Sequence, residues 1–249
     1  MITLILIAAG AFVATMLGGL AALRLKDRLH LVLGFSAGAV IAVAFFDLMP
    51  EALDLGGHYY PTALIPTVIA LGFLTYLVLD RLVFLHAHAH DEGHEHDLSA
   101  PESAHVSRGT LGASSLSIHS FLDGVAIGLA FQVSTAVGAV VAIAVLAHDF
   151  SDGINTVNLV LKNDGESHRA LRWLAVDAVA PVLGVIATMF FALPESVLAI
   201  ILAVFCGFFL YIGATDLIPE SHHAHPKFLT TLMTLLGAAV LYVAIHFAG

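Results

Sequence analysis

The sequence predicts an all-α, polytopic membrane protein with eight transmembrane helices in a 3+2+3 inverted-repeat arrangement. Three observations predict it. The chain is 59% hydrophobic and only 11% charged, where soluble domains run at about 25% charged, and its mean hydropathy is +0.95. It divides into eight apolar runs, each near the roughly 20 residues that a helix needs to cross a hydrocarbon core. Two short motifs each occur twice, in runs that must cross the membrane in opposite directions.

The runs lie at about 2–23, 31–53, 61–85, 109–132, 135–160, 170–192, 195–217 and 228–248. The first has no small-residue cleavage site ahead of polar sequence, so it reads as a helix rather than a signal peptide. Together they make residues 1–249 a single transmembrane domain. The nine basic residues are Arg24, Lys26, Arg28, Arg81, Arg108, Lys162, Arg169, Arg172 and Lys227, and all fall in or beside the first, third, fifth and seventh connections. The positive-inside rule therefore puts those connections in the cytoplasm and both termini outside. Compact loops point to the plasma (inner) membrane of a prokaryote. One cysteine, Cys206, excludes an intrachain disulfide and a thiolate zinc site. The net charge of −10 sits largely in apolar runs and in one connection, and nothing in the chain suggests nucleic-acid binding.

That connection, about 86–108, carries His86, His88, His90, His94, His96 and His105 among Asp91, Glu92, Glu95 and Asp97. It is polar and aperiodic, which predicts a disordered cytoplasmic loop able to bind metal weakly.

The first repeat is H-x-F-x-D-G, as His119-Ser120-Phe121-Leu122-Asp123-Gly124 in span four and His148-Asp149-Phe150-Ser151-Asp152-Gly153 in span five. The second is G-x8-D-L-[MI]-P-E, from Gly38 to Asp47 and Glu51 in span two and from Gly207 to Asp216 and Glu220 in span seven. Each pair of copies lies on oppositely oriented helices, the signature of an inverted-topology repeat.

A charged side chain at the centre of a bilayer costs roughly 2.5–3.5 kcal/mol on insertion scales. His119 with Asp123, and His148 with Asp152, are spaced i, i+4, which puts each pair on one helix face. Both motifs fall near the midplane. Ser120 and Asp149, one residue along, still point broadly inward and are placed to complete or bridge a neighbouring site. Imidazole with carboxylate and no thiolate suits Zn2+ and related divalent ions at moderate affinity, as a carrier that must also release its ion requires. A structural ion pair would need a cationic partner, and neither motif contains Lys or Arg. Asp47 and Glu51 on the outer side, and Asp216 and Glu220 on the inner side, read as acidic stations on a path through the midplane. The plain alternative is a Pro-Glu helix end at the interface. His222 and His223 follow the inner station, and Asp177 in span six is a further candidate ligand.

These residues resemble the ZIP (Zrt/Irt-like) family of divalent-metal transporters. The likeness covers most of the chain: eight spans, outward termini, a His-rich loop between spans three and four, the segments HSFLDG and HDFSDG, and the stretch from Gly34 through Asp47-Leu48-Met49-Pro50-Glu51-Ala52. The resemblance implies a binuclear metal centre around His119, Ser120, Asp123, His148, Asp149 and Asp152, uptake toward the cytoplasm, and alternating access. Two departures stand out. Ser151 and Asp152 occupy places where the family often has Pro and Glu, and Ala180 precedes Pro181 where many members have Glu. Asp177, one turn earlier, is the residue placed to substitute.

The resulting expectation is a transporter of Zn2+, with Fe2+, Mn2+, Cd2+ or Co2+ as related cargo. It uses no catalytic cofactor, and its partners are the bilayer, divalent ions and, as a homodimer, a second copy. Two other readings stay open. A cation-diffusion-type exporter also uses intramembrane His/Asp pairs, but would have six spans and a soluble C-terminal domain. An intramembrane zinc hydrolase would want three protein ligands and an open water position.

Overall fold

The computed structural model describes residues 2–23, 29–88, 102–162, 166–222 and 228–248, and no strand occurs among them. The helices are α1 (Ile2–Ala22), α2 (Leu29–Val43), α3 (Met49–Gly57), α4 (Leu64–His88), α5 (Glu102–Val133), α6 (Thr135–Lys162), α7 (Ser167–Thr188), α8 (Glu195–Tyr211), α9 (Ile218–His222) and α10 (Phe228–Ala248). A π-helical segment, Ala44–Leu48, joins α2 to α3, and another, Ile212–Leu217, joins α8 to α9. Eight continuous helical runs are long and apolar enough to cross a membrane, one for each expected span.

The second run differs from expectation in a way that matters for function. It was expected to end near residue 53, just past Pro50, yet it continues as one helix to Gly57. A proline inside a helix has no N–H to give and its ring crowds the carbonyl four residues back. Here the helix widens just ahead of Pro50, and the Met49 N–H bonds Ala44 O, five residues back. The same device stands before Pro219, where the Ile218 N–H bonds Gly213 O. Each widened turn contains one acidic residue of the second repeat, Asp47 or Asp216. Such π-bulges cluster at functional positions because they redirect a side chain without breaking the helix.

The His-rich connection is also shorter than predicted. Helix α4 runs to His88 and α5 begins at Glu102, so helix invades both ends of a segment expected to be disordered. Propagating an existing helix adds one hydrogen bond per residue fixed, which a polar sequence can exploit at a helix end. Residues 89–101 lie outside the described part of the chain.

Packing divides the helices into two groups. Helices α1, α5, α6 and α7 pack mainly on one another, as do α2, α3, α4, α8, α9 and α10. The seam between them is formed chiefly by α2 against α6, with smaller contacts of α4 with α5, α5 with α8 and α6 with α10. Small residues permit the closest approaches. A Cβ on Gly18 would overlap the Phe150 carbonyl oxygen, and one on Gly184 would overlap that of Phe121. Likewise Gly38 abuts Thr234 O, Gly207 abuts Ile69 O, Gly153 abuts Thr15 O and Gly124 abuts Pro181 O. Small residues at helix contacts are what let backbones meet in a membrane, where no hydrophobic effect pulls helices together. Large apolar side chains are left on the outside instead, such as Leu71, Leu74 and Val78 on α4 and Leu235, Val240 and Val243 on α10. Lipid is the solvent those faces suit.

Candidate metal centre

Four of the predicted residues converge. His119 and Asp123 come from α5, His148 and Asp152 from α6. The i, i+4 spacing stacks each pair on one face of its helix, and the contact of α5 with α6 turns those faces toward each other. His119 Nε2 lies 3.2 Å from Asp123 Oδ2 and 3.9 Å from Asp152 Oδ2. His148 Nε2 lies 3.3 Å from Asp123 Oδ2 and 3.7 Å from Asp152 Oδ2. One ligand atom from each residue falls within 4.8 Å of every other. With metal–ligand bonds near 2.0–2.1 Å, the corners of a tetrahedron stand roughly 3.3 Å apart. The observed edges match that figure closely enough for one Zn2+ to sit among two nitrogens and two oxygens.

The orientation of His148 is set by its own helix. Its Nδ1 lies 3.0 Å from Ala144 O. A carbonyl can only accept, so Nδ1 carries the proton and the Nε2 lone pair is left to face the carboxylates. Its ring is fully buried and packs edge-on against Phe209 of α8 at 5.9 Å.

Beside the four ligands lies a second polar set. Asp177 of α7 is fully buried and accepts hydrogen bonds from Ser120 Oγ at 2.8 Å and from Thr156 Oγ1 at 2.9 Å. The contact of α5 with α7, drawn tight by Gly124 and Gly184, makes the Ser120–Asp177 bond. Asp149 is equally buried, and neither of its carboxylate oxygens has a hydrogen-bond partner among the described residues. An ionised carboxylate left so in a low-dielectric interior is costly by several kcal/mol. Such a group calls for a compensating partner.

Charge makes the same point. Asp123, Asp149, Asp152 and Asp177 are all buried, and no Lys or Arg is buried among the described residues. Burying four carboxyl groups with no Lys or Arg beside them is costly unless a cation or protons compensate them.

The outlying predicted residues are not part of this cluster. Asp47 and Asp216 are partly buried within the π-helical segments; Asp47 Oδ2 has no hydrogen-bond partner among the described residues, and Asp216 Oδ1 lies 3.4 Å from Thr215 Oγ1. Glu51 is half-buried on the first turn of α3. The side chains of Glu220 and His222, and all of His223, lie outside the described residues, as do the side chains of all six histidines of the long connection.

Sequence reasoning missed two residues near the centre. Asp80 of α4 accepts a hydrogen bond from Tyr211 Oη of α8 at 2.9 Å. Tyr76, one turn before Asp80, has its hydroxyl 3.1 Å from His119 Nδ1. A signal existed for Asp80, an acid inside an apolar run. None existed for Tyr76, because nothing in the sequence says which face of α4 meets α5.

An eight-span helical bundle with a buried, ligand-rich and cation-free centre between two of its helices defines a multi-pass membrane protein built to take up a metal ion. Comparison with known proteins gives the family. Residues 1–244 match the family model described as ZIP Zinc transporter, and the chain belongs to that family. It is 27% identical over 248 residues to the zinc transporter ZupT of Shigella dysenteriae serotype 1, covering 97% of this chain and 93% of ZupT. To ZupT of Salmonella paratyphi A it is 26% identical with the same coverage. To the zinc transporter YKE4 of Saccharomyces cerevisiae it is 27% identical over 176 residues, which is 65% of this chain and 50% of YKE4. The chain is thus a zinc transporter of the ZIP family and not an enzyme. The buried His/Asp cluster of α5 and α6 is consistent with a metal site in such a protein.

Proposed function

We propose that this protein carries Zn2+ across the plasma (inner) membrane toward the cytoplasm. The cargo ion sits among His119, Asp123, His148 and Asp152, and a neighbouring second ion is reached by Ser120, Asp149 and Asp177. The observation that carries this reading is the convergence of four ligand atoms within 4.8 Å of one another at a buried site. The excess of buried carboxylate over buried cation supports the second ion.

Ions approach from outside past Asp47 and Glu51 and leave past Asp80 and Asp216 toward Glu220, His222, His223 and the His-rich loop. The clustering of all nine basic residues at odd-numbered connections supports that orientation, with both termini outside. An inverted repeat underlies the path. It is supported by the matched glycine contacts: Gly38 with Thr234 against Gly207 with Ile69, Gly153 with Thr15 against Gly124 with Pro181, and Gly18 with Phe150 against Gly184 with Phe121. The paired π-helical segments at Asp47 and Asp216 add to it. The imidazole–carboxylate donor set extends the cargo to Fe2+, Mn2+, Co2+ and Cd2+, and the homodimer belongs to the same reading.

Uptake into proteoliposomes tests it. With a zinc indicator sealed inside, vesicles whose protein has its termini on the outer face are expected to accumulate Zn2+. Vesicles that fill no faster than protein-free ones would overturn the reading.

A further inference from the structure

His119 and His148 are held in different ways. His148 is fixed by a carbonyl of its own helix. His119 Nδ1 has a partner from outside its helix group, the hydroxyl of Tyr76 on α4, at 3.1 Å. We propose that Tyr76 is a positioning residue of the metal centre: from across the seam its hydroxyl fixes the His119 ring so that Nε2 faces the ion.

The ring of Tyr76 is itself well held. It meets Phe208 and Tyr211 of α8 at centroid distances of 5.2 Å each, and meets His119 edge-on at 5.9 Å. The hydroxyl is therefore aimed by packing at His119 Nδ1. Its chemistry suits the task. A phenol hydroxyl both donates and accepts. Without an ion, the Nε2 of His119 can carry the proton beside Asp123, 3.2 Å away, while Nδ1 accepts from Tyr76. With an ion on Nε2, Nδ1 carries the proton and donates to Tyr76. The same contact serves both forms, where a carbonyl would serve one and phenylalanine neither.

Placement adds a consequence. Tyr76 belongs to the helix group opposite the ligands, and α4 touches α5 only lightly. The hydrogen bond is made while the two groups keep this register, so the orientation of His119 is tied to the state of the seam.

This inference rests on the reading of His119 as a metal ligand, and the test separates the two. The full-length protein is titrated with Zn2+, and its visible absorption is recorded with Co2+ in place of Zn2+. Losing an outer-shell partner of a metal ligand typically weakens affinity about 10–100-fold. Y76F is expected to weaken Zn2+ binding to that extent and to shift the Co2+ bands, while Y211F, which removes a hydroxyl from the same aromatic wall, leaves the bands in place. H119A is expected to remove the high-affinity site. Wild-type affinity and spectrum in Y76F, with H119A still losing the site, would overturn the role of Tyr76 alone. Wild-type binding in H119A would overturn the underlying metal site. An equal band shift in Y211F would assign the effect to wall packing and also overturn the proposal.

Discussion

Replacing His148 by alanine is expected to abolish transport. Its Nε2 is within 3.3 Å of Asp123 Oδ2 and 3.7 Å of Asp152 Oδ2, so in the proposed centre it would share the ion with both carboxylates. Without it only three protein donors remain, and water would have to fill the fourth position. The loss is expected to exceed the roughly 10–100-fold that follows removal of an outer-shell partner. A cavity would also open beside Phe209, which the ring now covers. His148→Gln fills most of that space and offers no imidazole, so it separates the two effects. If ligation is what matters, zinc uptake into proteoliposomes is lost in both variants. If packing is what matters, His148→Gln retains uptake and the ligand role fails.

The second large effect concerns Asp149. Its carboxylate is fully buried, and neither oxygen has a hydrogen-bond partner among the described residues. Asp149→Asn keeps the shape and removes the charge. An uncompensated buried charge costs several kcal/mol, so the ion-free protein is expected to become more stable. At the same time the second ion loses its chief charged donor, and bound zinc falls from two ions per chain toward one. A ligand at free concentration L that binds only the folded state stabilises it by RT ln(1 + L/Kd), so weaker or fewer sites give less stabilisation. The rise in Tm on adding Zn2+ is therefore expected to shrink in Asp149→Asn even though its ion-free Tm is higher. An ion-free Tm at or below that of the unsubstituted protein, with two zinc ions still bound, would remove Asp149 from the centre.

The two experiments probe features that differ in how far the sequence revealed them. The His119/Asp123 and His148/Asp152 pairs were legible because helical spacing alone fixes which residues share a face, and membrane helices are easily delimited by apolar length. The burial of Asp177 and its bond to Ser120 was only half legible. Sequence marked both residues as polar within apolar runs, but the contact depends on how closely α5 and α7 approach at Gly124 and Gly184. A helix end at Pro50 and Pro219 is the plain alternative to acidic stations on the path, since proline usually breaks a helix. A local widening to π geometry let both helices continue and placed Asp47 and Asp216 inside the widened turns. Tyr76 and Asp80 depend on the rotation of α4 about its axis. That is set by packing against α8, where Phe73 meets Tyr211 at 5.3 Å and Tyr76 meets Phe208 at 5.2 Å. No period in a uniformly apolar run encodes it.

The division into two helix groups bears on mechanism. The four proposed metal ligands lie on α5 and α6, within one group, while the acidic residues Asp47, Asp80 and Asp216 belong to the other. Two serine contacts bridge the seam near the proposed ligands among the described residues. Ser36 Oγ of α2 donates to Ala147 O at 2.6 Å and Ser151 Oγ of α6 lies 3.1 Å from Ser36 Oγ. Tyr76 with His119 is the bridge that touches a ligand. A carrier has to loosen such a seam to expose its ion first to one side and then to the other, and short hydroxyl bonds are contacts that can be exchanged during that movement.

The most direct measurement is anomalous diffraction at the zinc absorption edge from crystals of the zinc-loaded protein. A peak between α5 and α6, about 2.0–2.2 Å from His119 Nε2, His148 Nε2 and one oxygen each of Asp123 and Asp152, is the expected result. Zinc bound elsewhere in the bundle, with no peak among those four side chains, would contradict it.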